Sequence, residues 1–313
     1  MKKYRIILCV IVLGFVWEHA KSQSEPMFTQ YSFNEIFINP AYAGSHDALS
    51  FSTLYRRQWI RIDGSPTTKT FTAHSQLLKS KVGLGITAFQ DKIGVTNQTG
   101  VFGNYAYRLK LSKGTLALGL LGGYIAYQDN LSDIETNDLD DAEFSSNTPA
   151  AYAPNFGFGT YYYTKRFYLG LSAPRLIYNK LLINQNNEVV RVESSFNKEE
   201  VHFFLASGFI FDVNPLLKIR PSGMLKVVMN APVEYDINLA ALMLTSIWVG
   251  GGYRSGDAWN LMTAIQVNEQ LRVAYSLDLT FTNLRHTAGS THEISLNYVL
   301  RYNKTKVTSP RYF

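Results

Sequence analysis

Hydrophobic and polar residues alternate with a period of two along most of the chain, as they do in β-strands that have two different faces. The last repeat is the clearest, because the polar residue Ser295 lies between Ile294 and Leu296. We count about fourteen segments of this kind. Their approximate spans are 49–56, 67–76, 82–91, 99–109, 116–128, 155–163, 167–173, 202–213, 218–229, 235–244, 247–254, 260–267, 271–280 and 291–302.

The lengths of the segments and of their connections indicate a membrane barrel. Most segments have about 8–12 residues, the length of a tilted strand that crosses a bilayer. Connections at one end are short, whereas those at the other end are generally longer, notably 57–66, 92–98, 129–154, 174–201 and 281–290. Outer-membrane barrels sort their connections in this way, and a soluble β-sandwich has no reason to do so. The pattern therefore predicts an all-β, transmembrane antiparallel outer-membrane β-barrel of about 14 strands.

Composition agrees with this fold class. The 313 residues are 17% charged and 14% aromatic, and the mean hydropathy is close to neutral. A polytopic helical membrane protein would be far more apolar. A single cysteine excludes a disulfide framework and a cysteine-rich zinc module.

Residues 1–22 have the features of a cleaved secretory signal peptide. Basic residues precede an apolar run over 6–16, and Ala20-Lys21-Ser22 fits a small-x-small cleavage site before Gln23. The alternative, an uncleaved anchor helix, is disfavoured because the apolar run is too short to span a bilayer. The signal peptide also contains several of the basic residues that contribute to the formal charge of +6. The net positive charge that remains on the mature chain is too small to indicate nucleic-acid binding.

Two segments flank the predicted barrel. Residues 23–48 form an N-terminal periplasmic or plug segment, whose part Met27–Ser45 is too apolar for a free tail. We expect this part to pack into the lumen or against the periplasmic rim. The barrel then occupies 49–302, and 303–313 form a C-terminal tail.

Ionisable residues recur at the alternate strand positions that we predict to face the lumen. We interpret them mainly as cross-paired lumen charges, because the lipid face penalises charge and the lumen does not. The alternative is a polar conduit or a site for a threaded segment. These residues are Arg56, Arg108, Arg220, Lys226, Arg272, Asp236, Asp278 and Glu293.

Neither metal nor catalytic chemistry has a specific motif. The acidic stretch 129–143 could attract calcium, but it lacks a D-x-D-x-D-G loop, and we expect a solvated extracellular loop instead. G-x-S-x-G, H-E-x-x-H and C-x-x-C are absent from the sequence. We therefore expect no enzymatic activity, no metal and no cofactor.

Four ordered blocks, within a similarity that runs from about Gln30 to the end, resemble the PorP/SprF family of the type IX secretion system. The blocks are Phe33–Ser45 (FNEIFINPAYAGS), Leu54–Trp59 (LYRRQW) with Asp63–Thr68 (DGSPTT) and Thr72–His74, Tyr105–Arg108 (YAYR), and Gly157–Ser172 (GFGTYYYTKRFYLGLS). The resemblance implies an outer-membrane protein of Bacteroidota without catalytic residues. It further implies that the barrel supports secretion and cell-surface attachment of a large adhesin, such as a gliding adhesin, by binding its C-terminal sorting domain.

The expected partners are that adhesin, other type IX secretion components and outer-membrane lipid, with no nucleic acid. We expect partner contact from the N-terminal segment and from the long loops 129–154 and 174–201. The candidate partner-binding residues within the resembling blocks are Phe33, Asn39, Pro40, Tyr42, Arg56, Arg57 and Trp59.

Two other functions stay open at this point. One is an outer-membrane channel for hydrophobic or small solutes, similar to fatty-acid transporters, with Met27–Ser45 as its plug. The other is an outer-membrane enzyme, and the only feature that supports it is a scatter of histidines near one rim.

Overall fold

The structure, a computed structural model, describes residues 27–46, 48–77, 81–133, 146–183 and 189–300. Its described residues contain β-strands and short 3-10 helices but no α-helix. None of the helices in these ranges has the length and apolar character needed to cross a membrane. The predicted signal peptide, most of the acidic stretch 129–143 and the C-terminal tail lie outside the described residues.

Fourteen antiparallel wall strands form a closed barrel, which confirms the predicted fold class. The strands are β1 (Leu49–Arg57), β2 (Thr67–Gln76), β3 (Val82–Ile93), β4 (Thr96–Lys110), β5 (Thr115–Asp129), β6 (Ala151–Tyr163), β7 (Phe167–Ala173), β8 (Ile177–Ile183), β9 (Val189–Phe196), β10 (Phe203–Phe209), β11 (Phe211–Asn214), β12 (Leu217–Val227), β13 (Glu234–Met243), β14 (Ile247–Arg254), β15 (Ala258–Gln266), β16 (Leu271–Thr280) and β17 (Thr291–Leu300). The 3-10 helices are Tyr31–Phe33, Glu35–Phe37, Pro40–Tyr42, Leu131–Asp133 and Asn283–His286.

Two pairings close the cylinder. β1, the first strand, pairs with β17, the last, and Arg56 lies opposite Glu293 in their register. β10 pairs with both β7 and β12, since β8 and β9 form a separate hairpin outside the wall. β10 and β11 together make one wall strand interrupted at Ile210, so each wall strand has a neighbour on both sides.

Side chains alternate between the two surfaces of the wall. Leu118, Leu120 and Tyr105 point outward and are exposed, whereas their chain neighbours Ala117 and Ala106 point inward and are buried. A row of apolar residues toward lipid and mostly polar residues toward the lumen is the arrangement of an outer-membrane barrel. The period of two therefore arises because each face of the wall meets a different medium.

The connections differ in length between the two ends of the barrel, as the sequence predicts. Connections at the end where β1 begins are short, and those at the opposite end include 58–66, 130–150 and 281–290. We assign the end with the longer connections to the outside of the cell.

Two expectations about these connections were wrong. The predicted loop 92–98 is a turn of two residues, because Gly94 adopts a positive φ of 58° that permits a tight hairpin. The predicted loop 174–201 contains the hairpin of β8 and β9, whose β-branched and aromatic residues favour extended backbone.

A charge on the lipid-facing wall should destabilise the barrel in a depth-dependent way. Leu120 is 61% exposed in the middle of β5, so we expect Leu120→Arg to lower the free energy of unfolding by about 2–4 kcal/mol. Leu111→Arg, in the short β4–β5 turn, serves as the control and should cost less than about 1 kcal/mol. Denaturant unfolding in detergent micelles measures both, and equal costs would contradict the assigned membrane face.

Candidate functional site

The N-terminal segment, residues 28–45, lies inside the barrel and fills its lumen. Its side chains are buried, and its three 3-10 helices follow one another from the outer end of the lumen to the periplasmic end. Asn39 begins the third helix, where its side-chain oxygen accepts a hydrogen bond from the backbone N–H of Ala41. The chain then turns and enters β1 from the periplasmic side.

At the outer end, buried ion pairs hold the segment to three strands. Arg56 of β1 contacts Glu293 of β17 and lies 3.0 Å from Asp278 of β16. The backbone N–H of Thr29 donates to Glu293 at 2.7 Å, and its hydroxyl donates to Asp278 at 2.6 Å. Arg254 of β14 completes this outer clamp, which we define as Thr29, Arg56, Arg254, Asp278 and Glu293.

Midway along the lumen, cations and aromatic rings surround Phe33. The guanidinium of Arg272 lies 4.1 Å from the centre of its ring, and that of Arg220 lies 5.0 Å away. Trp248 packs against the same ring edge-on. A second polar anchor lies nearby, where Asn34 accepts a hydrogen bond from the Thr72 hydroxyl at 2.8 Å. Cation–π contacts are stronger between desolvated groups, and Phe33 and Arg220 are both buried.

Near the periplasmic end, glycines of the wall let the backbone of the segment come close. A Cβ added to Gly119 would lie 2.1 Å from the backbone nitrogen of Ala41, and one added to Gly159 would lie 2.1 Å from the side-chain oxygen of Asn39. Gly83 makes a similar approach to the carbonyl of Ala43. Any larger side chain at these positions would push the segment away from the wall.

One buried carboxyl belongs to the segment itself. Glu35 is 2% exposed, and burial raises its pKa from 4.5 to about 7. The nearby hydroxyls of Tyr161 and Tyr168 and the charge of Arg220 lower the pKa and oppose this effect only in part. Glu35 is therefore the group of the segment whose charge changes near neutral pH.

The seven candidate partner-binding residues fall into two groups. Phe33, Asn39, Pro40, Tyr42 and Arg56 are buried inside the lumen. Arg57 and Trp59 lie at the extracellular end of the wall. A role in partner contact stays a prediction for all seven, and in this conformation only the second group is within reach of an external partner.

The connection 58–66 is fixed to a neighbouring connection. The backbone N–H groups of Ile60 and Arg61 donate to carbonyls of Ser290 and Ala288, both between β16 and β17. Trp59 adopts a positive φ of 46°, which is uncommon for a residue with a side chain and is sustained here by the surrounding hydrogen bonds.

Extracellular connections and the hairpin carry exposed apolar side chains. Each of six such side chains is between 39% and 66% exposed, which is unusual for residues outside the lipid-facing wall. We call this set the outer apolar residues, namely Ile60, Tyr178, Phe196, Met229, Val233 and Leu284.

The residues that hold the N-terminal segment in the lumen were not predicted from the sequence. Thr29 and Gln30 carry no motif, although both bind Glu293. The glycines left a detectable signal, since Gly83, Gly119 and Gly159 all fall on the inward phase of their strands. A lumen-facing glycine on several strands indicates that something approaches the wall closely.

Most of the acidic stretch 129–143, the calcium candidate of the sequence, lies outside the described residues. Among the described residues, no group of three or more His, Cys, Asp or Glu side chains is arranged to hold a metal ion.

Comparison with known proteins gives a family and a set of similar folds. The family model described as "Type IX secretion system membrane protein PorP/SprF" matches residues 20–298. No curated protein matches the chain.

Several solved outer-membrane structures are similar to the chain at low identity. The CymD monoaromatic hydrocarbon channel is 10% identical, with 90% of this chain and 94% of that chain covered and a TM-score of 0.49. A Pseudomonas aeruginosa FadL homologue is 9% identical, covers 91% and 96%, and has a TM-score of 0.46. Omp33 of Acinetobacter baumannii is 10% identical, covers 82% and 99%, and also has a TM-score of 0.46.

Displacing the N-terminal segment should open the lumen. We expect Gly119→Val to conduct ions in a planar bilayer, because its side chain would occupy the place of Ala41. The wild type and Gly103→Val, an outward-facing control whose Cβ would meet no atom closer than 3.9 Å, should stay closed. A folded Gly119→Val protein that stayed as closed as the wild type would refute the role of this contact.

Protonation of Glu35 should make the barrel more stable in acid than at alkaline pH. Because the pKa is about 7 in the folded protein and 4.5 in the unfolded chain, the native state binds the proton more tightly. Stability from this group is therefore fully present below about pH 4.5 and is lost as the pH rises through about 7.

The neutral variant Glu35→Gln should lack this dependence. Relative to the wild type, its free energy of unfolding should rise by on the order of 3 kcal/mol between about pH 4.5 and about pH 8. Asp63→Asn, in an exposed connection, is the matched control. A difference between Glu35→Gln and wild type that does not change with pH would show that Glu35 does not titrate in this range.

Proposed function

The chain belongs to the PorP/SprF family of type IX secretion system membrane proteins, and on that basis we propose that it holds a secreted adhesin at the cell surface. In this proposal the barrel binds the C-terminal sorting domain of a large adhesin, of the gliding type, and so supports its secretion and attachment. Other components of the secretion system bring the adhesin to the outer membrane. The barrel itself only binds the sorting domain and catalyses no reaction.

The filled lumen is the observation that carries the proposal. The N-terminal segment contacts strands on opposite sides of the wall, through Thr72 of β2 and Ser172 of β7 as well as through the outer clamp. A polypeptide cannot pass through a lumen that is packed in this way. A closed barrel suits a protein that retains its partner, with translocation carried out by a larger protein.

The extracellular surface supports binding on that side. The outer apolar residues leave hydrophobic area exposed to water, and a protein partner would bury it. The hairpin of β8 and β9 also presents strand edges that pair with no wall strand. Such edges are suited to pairing with a strand of another protein.

A solute channel is the alternative that the sequence left open. In a solute channel the N-terminal segment would have to move away from Gly119 and break its contacts with the outer clamp. Conduction by the wild-type protein in the bilayer experiment above would favour that alternative.

Binding to an isolated sorting domain tests the proposal. The probe is the purified C-terminal sorting domain of a large adhesin from the same cell, added to the immobilised full-length barrel in mild detergent. We expect Tyr178→Ser/Phe196→Ser to weaken binding at least about tenfold, because two apolar contacts would be lost. Surface plasmon resonance measures the dissociation constants.

The control places the same change on the other side of the membrane. Leu111→Ser/Leu216→Ser removes two exposed leucines from periplasmic turns and should leave binding unchanged. Failure of the wild-type barrel to bind any such domain would refute the proposed function. Equal weakening by both double variants would refute the assignment to the hairpin.

A further inference from the structure

The chain that leads into the hairpin of β8 and β9 crosses the inner side of the wall. We define the hairpin root as residues 174–177, which connect β7 to the first residue of β8. A Cβ added to Gly157 of β6 would lie 2.3 Å from the carbonyl oxygen of Pro174. Its neighbours Phe156 and Phe158 are exposed on the outer surface, so Gly157 faces the lumen. The root therefore crosses β6 at a position where a side chain would block it.

Asn155, which lies two residues before Gly157 on the same face of β6, binds the hairpin root with both ends of its side-chain amide. The oxygen accepts hydrogen bonds from the backbone N–H groups of Leu176 at 3.0 Å and Ile177 at 3.2 Å. The nitrogen donates to the carbonyl of Ile177 at 2.8 Å. One buried side chain thus bonds both backbone groups of Ile177, as the backbone of a neighbouring strand would.

Two further contacts hold the root from other directions. The backbone N–H of Leu176 also donates to the carbonyl of Phe156 at 2.9 Å. The guanidinium of Arg175 lies 4.5 Å from the centre of the Phe89 ring, which is buried on β3. A cation over a buried ring is a favourable contact. Because β3 lies four strands away from β7 in the sheet, the root is attached to two separate parts of the wall.

A second asparagine continues this network along the hairpin. The side-chain oxygen of Asn179 on β8 accepts a hydrogen bond from the hydroxyl of Ser194 on β9 at 2.7 Å. Its nitrogen donates to the carbonyl of Pro154 on β6 over a longer distance, 3.5 Å. Proline has no N–H to offer to a further strand, so side chains rather than a continued ladder join the hairpin to β6.

The register of the hairpin connects the root to the two apolar side chains that the proposed function assigns to binding. Ile177 pairs with Phe196 of β9. Phe196 therefore lies directly across from the residue whose backbone Asn155 binds, and Tyr178 is the next residue of β8. Any movement of Ile177 would be transmitted to both exposed rings.

We propose that Asn155 is a positioning residue for adhesin binding, which holds the hairpin root so that Tyr178 and Phe196 are already oriented toward the sorting domain. This inference rests on the proposed function. A two-stranded hairpin on its own is at best marginally stable in water. Without its root contacts the hairpin would sample many orientations, and the apparent affinity falls in proportion to the fraction of molecules in the binding orientation.

Binding kinetics test the proposal with the full-length barrel and the purified sorting domain of the preceding experiment. Asn155→Leu keeps the approximate size of the side chain and removes its hydrogen bonds. We expect the association rate constant to fall about tenfold and the dissociation rate constant to change by less than about twofold, because the contacts in the complex remain. Tyr178→Ser/Phe196→Ser should instead raise the dissociation rate constant, because it removes those contacts. Surface plasmon resonance measures both rate constants.

A second variant displaces the root without touching Asn155. In Gly157→Ala the new methyl group would occupy the place of the Pro174 carbonyl, and we expect the same fall in association rate constant. Heat-modifiable gel migration confirms that each variant is folded. A loss of folded protein would lower the amount of domain bound at saturation and would leave the rate constants of the remaining folded molecules unchanged.

Hydrogen exchange measured by mass spectrometry tests the anchorage without the partner. In Asn155→Leu the amide of Ile177 loses its acceptor, so the segment 174–180 should exchange at least about tenfold faster than in the wild type. The matched control is Asn104→Leu. Asn104 is likewise buried, but it lies on β4 and its side-chain nitrogen donates to the hydroxyl of Thr87. The control should leave both the exchange of the root and the association rate constant unchanged.

The possible failures can be told apart. If the wild type bound the domain and Asn155→Leu associated equally fast, positioning by Asn155 would be wrong and the proposed function would stand. Unchanged exchange of the root in Asn155→Leu would refute the anchorage itself. Equal slowing of association by Asn104→Leu would show a general loosening of the barrel and would also overturn the proposal. If the wild type bound no sorting domain, the proposed function would fail and this inference would fail with it.

Discussion

Two carboxylates buried at the outer end of the lumen, those of Asp278 and Glu293, require positive or hydrogen-bonding partners on every side. Arg56 and Arg254 supply the charge, and Thr29 supplies both an N–H and a hydroxyl. Removing one partner of such a buried pair typically costs about 3–5 kcal/mol, because the remaining charge stays buried without compensation. The N-terminal segment therefore belongs to the electrostatic balance of the barrel, and the position of the segment follows from it.

A second constraint comes from the size of the barrel. Interior side chains are enough to fill a barrel of about eight strands, whereas one of about sixteen leaves an aqueous channel. A barrel of fourteen strands lies between these cases and leaves room that its own wall does not occupy. This chain fills the room with its N-terminal segment, and wall glycines such as Gly119 and Gly159 adjust the fit. The result is a closed support with accessible surface at its two ends and toward lipid.

The sequence predicts the wall well because the physical signal is local. Lipid on one side and a packed lumen on the other make each strand alternate, so all fourteen wall strands could be placed from the pattern alone. The hairpin of β8 and β9 was not predicted, because it lies outside the wall and does not separate lipid from the lumen. The outer clamp could not be predicted either, because Thr29 and Glu293 are 264 residues apart and no spacing rule connects them.

The pairing of β1 with β17 has a consequence for assembly. Arg56 and Glu293 are direct neighbours in that pairing, and Glu293 also binds Thr29. A cylinder that closed before the N-terminal segment was in place would have to admit a chain of 3-10 turns through a mouth lined with charges. Closure around the segment avoids this obstacle. The same contacts then stabilise both the placement of the segment and the closure of the barrel. We therefore expect the joining of the first and last strands to be the final step in folding, one that an incorrectly threaded chain would fail to complete.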